Sequence, residues 1–109
     1  MDFSLNNEQQ LIKQNIIQFS QKELNQNIIE RDKRSVFPRE LWKKCGTQKL
    51  QGLTVPEQYG GAGLNAQSTI IALEALGFGS KDGGLNFSIC AHLLACVVPI
   101  SKYGDEEQK

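Results

Sequence analysis

The sequence has little of what most catalytic or metal-binding chains carry. It holds one histidine, His92, and three cysteines, Cys45, Cys90 and Cys96, with no Cys-x-x-Cys spacing. A zinc site needs more N and S ligands than these spacings supply. An odd cysteine count without a framework argues against a disulfide scaffold and for a reduced, intracellular protein. No basic-then-apolar secretory leader or Arg-rich transit segment opens the chain, so a cytoplasmic location is expected. Net charge is absent too: 12 Lys+Arg balance 12 Asp+Glu. No field therefore draws the chain to nucleic acid or an anionic membrane. The longest apolar stretch, Leu85 to Ile100, is interrupted by Asn86, Ser88, His92 and Pro99. It reads as too short and too polar to span a bilayer. No repeat appears, and nothing alternates with a period of two over a strand's length.

What is present is helical periodicity. Asn6, with Gln9 three residues on, is a box-like helix start. Leu5, Ile12, Ile16 and Phe19 then recur at the spacing of one buried face, widened by Leu11 and Ile17. Leu24, Ile28 and Ile29 carry the stripe past an expected bend near Asn25. Pro38 and Gly46 bracket a short helix with Leu41, Trp42 and Cys45 on its apolar side. From Leu53 to Leu64 a proline and three glycines predict a loop, with positive φ at some glycines. Ser68–Phe78 is apolar on nearly every side. A further apolar helix is predicted from about Gly84, capped by Asp82 and ended or kinked by Pro99 near Val98. The fold class is all-α, a helical bundle over residues 1–109 with two buried central helices.

Each candidate for chemistry has a plainer reading. Cys96 lies one turn after His92, but both sit in an apolar helix where a thiol resists ionisation. Glu74, inside an apolar helix, is expected to find a backbone or cationic partner at a helix junction. Gly61-Ala62-Gly63-Leu64-Asn65-Ala66 fits a dinucleotide fingerprint by letter. The fingerprint works only between a strand and a helix in a sheet, and Pro56 interrupts the run upstream. From the residues alone, this is a helical domain without an active site of its own.

The order of motifs points further. Phe3-Ser4-Leu5-Asn6-Asn7-Glu8-Gln9-Gln10, Phe37-Pro38-Arg39-Glu40-Leu41-Trp42, Val55-Pro56-Glu57-Gln58-Tyr59-Gly60-Gly61-Ala62-Gly63-Leu64, Leu73-Glu74-Ala75-Leu76-Gly77 and Tyr103-Gly104-Asp105 follow one another. Together they resemble the N-terminal helical domain of the acyl-CoA dehydrogenase family, over almost the whole chain. The resemblance implies a flavin enzyme that introduces an α,β double bond into an acyl thioester. Its FAD is held by a middle β domain and a C-terminal bundle, which also carries the catalytic carboxylate. Neither is found here, so this chain alone is expected to hold no FAD and to be inactive, with no catalytic residue.

The resemblance also implies that the fourth main helix lines the acyl-chain end of the pocket. Phe87, Cys90, Ala91, Leu94 and Val98 share one helical face, with Ala95 beside it. The small residues would leave room and Phe87 and Leu94 would close the cavity; alternatively the six pack against a neighbouring helix. Leu64 is the candidate contact for an electron-transfer flavoprotein. The family further implies a homo-oligomer in the full-length protein. Gln48, Lys49 and Gln51 depart from the family pattern of apolar residues and glycine, and Leu24-Asn25 from its Ile-Ala-Pro. The run from Asp82 to Ile100 is similar to members serving specialised biosynthesis, which implies an acyl carrier protein as an alternative to coenzyme A. The competing reading is a stand-alone helical interaction module without catalysis.

Overall fold

The computed structural model describes all 109 residues and contains helices and turns but no strand. Helix α1 spans Asn7–Glu23. It starts where the local pattern predicts: Asn6 Oδ1 accepts from the Gln9 N–H at 2.8 Å, and Gln9 Oε1 accepts from the Asn6 N–H at 3.1 Å. Two otherwise orphaned donors are thereby satisfied. After the helix stops, the Asn25 side chain bridges the Gly79 carbonyl and the Lys81 N–H, both at 2.8 Å. The bend is thus pinned to the far end of α4, Ala66–Gly79.

Helices α1 and α4 lie against each other closely enough that the choice of residue matters. A Cβ on Gly79 would meet the Ser20 Cβ at 2.7 Å and the Ile17 carbonyl at 3.0 Å. Only glycine lets the two backbones approach this far. Ile16 of α1 and Ala72, Ala75 and Leu76 of α4 are buried in the common core, with Leu24, Cys45, Leu50, Leu53, Leu85, Ile89 and Leu93. Helix α4 is less enclosed than its sequence predicts, since Ile70, Glu74 and Phe78 face outward.

Helix α2, Ile28–Arg34, buries no residue. The apolar stripe of α1 therefore ends at Leu24, and Ile29 is exposed. Helix α3, Arg39–Thr47, contains Gly46 in its last turn instead of ending before it. The left-handed residue past its end is Lys49, with φ 60°. The predicted loop contains short 3-10 turns at Leu50–Gly52 and Glu57–Tyr59. Gly60 and Gly63 carry positive φ there, as expected.

Past Asp82, helix α5 (Gly83–Ala91) runs into a π-helical segment at His92–Val97 and then α6, Val98–Tyr103. The Val98 N–H donates to the Leu93 carbonyl, five residues back. Pro99 neither ends nor sharply breaks the helix. The wider turn just before it relieves the clash a proline ring makes with an α-helical carbonyl four residues earlier. The resulting helix, Gly83–Tyr103, is 21 residues long; its most apolar 18-residue window has mean hydropathy 1.7, and only 17% of that window is buried. Two expectations are corrected by this. By length and composition the helix could cross a membrane, and it is not buried on all sides.

Candidate site: an unpartnered apolar face

The site is built on α5 and its continuation. Asp82 sets the helix start by accepting from the Leu85 N–H at 3.0 Å through Oδ1. Its other oxygen pairs with Arg31 Nη2 at 3.1 Å, in a setting where the two side chains are only 15% and 17% exposed. The same Arg31 nitrogen donates to the Leu24 carbonyl at 3.1 Å. One arginine therefore joins α2, the end of α1 and the cap of α5.

From this anchor, Leu85, Ile89 and Leu93 descend at four-residue intervals into the core. The predicted acyl face lies on the remaining circumference. Phe87 is 73% and Leu94 48% exposed. Ala95 is exposed, while Cys90, Ala91 and Val98 are half-buried. The six residues lie along the helix as a partly open apolar surface. Phe87 also borders a groove of about 880 Å³ with Ile28, Ile29, Val36 and Phe37. Sequence reasoning missed this groove because Ile29 looked like a core position.

Chemical groups along the face are quiet. Burial pushes the Cys90 thiol above its ordinary value. Cys96 is exposed and unbonded to another cysteine. His92 packs its ring edge-on to Trp42, with centroids 5.4 Å apart. Glu74 forms none of the salt bridges in the molecule, so its expected cationic partner is absent. No group of three or more His, Cys, Asp or Glu side chains is placed to hold a metal.

The glycine loop does not fit a flavin or nucleotide. A Cβ on Gly61 would lie 2.1 Å from the Val55 carbonyl oxygen, so this glycine serves close packing against its own chain. The Leu64 N–H donates to the Leu53 carbonyl at 2.8 Å and the Ala62 N–H to the Gly52 carbonyl at 3.0 Å. These bonds occupy backbone groups that a phosphate cradle would need free. Leu64 itself is half-buried and packs against the core.

The model of the family described as Acyl-CoA dehydrogenase, N-terminal domain, matches residues 6–109. The chain belongs to the acyl-CoA dehydrogenase family. An L-prolyl-[peptidyl-carrier protein] dehydrogenase from a Serratia species is 41% identical over 109 residues, which are 100% of this chain and 28% of that protein. A short-chain specific acyl-CoA dehydrogenase from Clostridium acetobutylicum is 38% identical, with 100% and 28% covered. The FAD complex of PigA superposes with a TM-score of 0.95 at 41% identity, covering 100% of this chain and 28% of that one. This acyl-CoA dehydrogenase domain thus spans little more than a quarter of the length of such relatives. Membership also gives its partly open helix face a physical context: an apolar surface of this kind marks contact with another surface.

Proposed function

We propose that this chain forms the acyl-pocket wall and a domain interface of an FAD-dependent acyl-thioester dehydrogenase. The reading rests on one observation. The helix Gly83–Tyr103 buries a single stripe within the chain and leaves an apolar face, from Phe87 to Val98, partly open. In the whole enzyme that face meets the acyl group and further domains. Cys90, Ala91 and Ala95 make room for the chain, and Phe87 and Leu94 exclude water from its end. Its apolar character then follows from interface packing, and membrane insertion is not invoked. FAD and the base that takes the α proton belong to other domains, so the chain alone is inactive and flavin-free.

The Serratia relative's name supports an acyl group carried on a protein; coenzyme A is the other carrier. An electron-transfer flavoprotein docking near Leu64, a homo-oligomeric full-length enzyme and a cytoplasmic location complete the reading. The surface area supports packing of this chain against another surface, a property that a stand-alone interaction module shares. The chain exposes 7391 Å², whereas a folded monomer of its mass, 12.1 kDa, exposes about 6000 Å².

A domain exchange tests the proposal. This chain replaces the matching segment of the Serratia relative, and flavin absorbance and thioester oxidation are measured. The chimera is expected to retain FAD and activity. Ala91→Trp or Ala95→Trp should then lower kcat/KM by about tenfold or more with FAD still bound. A flavin-loaded chimera indifferent to both substitutions would remove these residues from the pocket.

A further inference from the structure

A second cleft, apart from the six residues of the acyl face, opens between the end of α3 and His92. Its volume is about 390 Å³, and Trp42, Lys43, Lys49, Gln51, Gly60 and His92 line it. No acidic side chain is in that lining. Lys49 sits at the point where α3 terminates, in the left-handed region at φ 60°. Glycine is the residue that adopts this conformation without cost, and lysine is not among the residues enriched there. The position also departs from the family pattern, as do its neighbours Gln48 and Gln51. A side chain kept where the backbone disfavours it invites a functional explanation.

The groups around Lys49 supply one. Its ammonium reaches only one acceptor, the Gly61 carbonyl, at a long 3.4 Å. That of Lys43 stands 3.6 Å from Glu40 with both side chains largely solvated. An ammonium has three donors, so both retain capacity for a ligand. Gln51 Nε2 donates to the Trp42 carbonyl at 2.8 Å, which ties the floor of the cleft to the tryptophan. Trp42 and His92, ring edge to ring face, form an aromatic wall. Beside them Gly60 leaves open space where a Cβ would stand.

We propose that this cleft binds a small anion carried on an aromatic body, with Lys49 and Lys43 taking the charge and Trp42 and His92 the ring. The shared chemistry is a carboxylate or a phosphate monoester, and the two are told apart by parallel titrations. Trp42 is the only tryptophan, so its fluorescence reports on the cleft at protein concentrations low enough to limit self-association.

Phenyl phosphate and benzoate are titrated into the 109-residue chain by fluorescence and into the flavin-loaded chimera by calorimetry, with phenol as the neutral control, so that a chain folding only beside other domains is still tested. Saturable quenching by at least one of the anions, and not by phenol, is expected; the stronger names the anion class. Lys49→Gly relieves the left-handed strain, so it should melt no lower than the parent while losing about tenfold or more in affinity. Lys43→Gln should weaken binding in the same direction. Equal affinity in the parent and Lys49→Gly overturns the proposal, as does quenching by phenol equal to that by the anions. Absence of saturation by either anion in both proteins overturns it as well. A crystal grown with phenyl phosphate tests the same point independently: the anion lies against Lys49, or the cleft is not its site.

Discussion

At the scale of single residues, the three cysteines divide by environment. Cys45 is fully enclosed by the core, and loss of hydration raises its thiol from 9.0 to about 11. The folded state thus holds that proton more tightly than the unfolded chain. Its contribution to stability is complete below about pH 9 and falls away as pH rises through 11. The loss should reach about 2–3 kcal/mol, read as a falling urea midpoint between these pH values and suppressed in Cys45→Ala. In the native state at neutral pH a thiol reagent should label Cys96 first and spare Cys45. Gly61 shows the opposite economy: letters that resemble a phosphate loop are explained by the approach of Val55.

At the scale of elements, Asp82 does two jobs that substitution can separate. Asp82→Asn keeps an oxygen to cap α5 but weakens the pairing with Arg31, whereas Asp82→Ala removes both. The alanine variant should cost about 2–3 kcal/mol and the asparagine variant less than half of that. Helix α2 carries this arginine and buries no residue of its own, so limited proteolysis should cut near 26–36 first. Two helix starts were legible in the sequence because caps are local: Asn6 with Gln9, and Asp82, act within three residues. The start of α4 was not, for Asn65 caps it at Ala66, two residues before the expected Ser68. The 3-10 turn at Leu50–Gly52 was not, since burial of Leu50 and Leu53 goes with it, and neither was the turn at Glu57–Tyr59, which buries no residue. Nor was the π segment, because periodicity assumes an unbroken α register through His92–Val97. The six residues proposed for the acyl face were chosen by that periodicity on a helix that the family resemblance had singled out. What no pattern could give was the partial exposure of that face, because equally apolar flanks look alike whether wet or packed.

At the scale of the whole molecule, the chain is a slab measuring 39 × 39 × 21 Å. So thin a body buries only 18 of its 109 residues. Exposed Ile70, Phe78, Phe87 and Leu94 are the consequence. The isolated chain is therefore expected to self-associate with rising concentration, seen as a growing sedimentation coefficient. Phe87→Ser with Leu94→Ser should suppress the effect without lowering the melting temperature, because neither side chain belongs to the core. A slab of this kind also changes what exposure means for mutational tolerance. In a free-standing protein, outward positions accept almost any residue, and inward ones set the limits. Here Phe87, Leu94 and Phe78 would be permissive in the 109-residue chain and restrictive once other domains lie against it. A saturation scan of both forms would then return two different maps from one fold, disagreeing at the outer faces and agreeing at Leu85, Ile89 and Leu93.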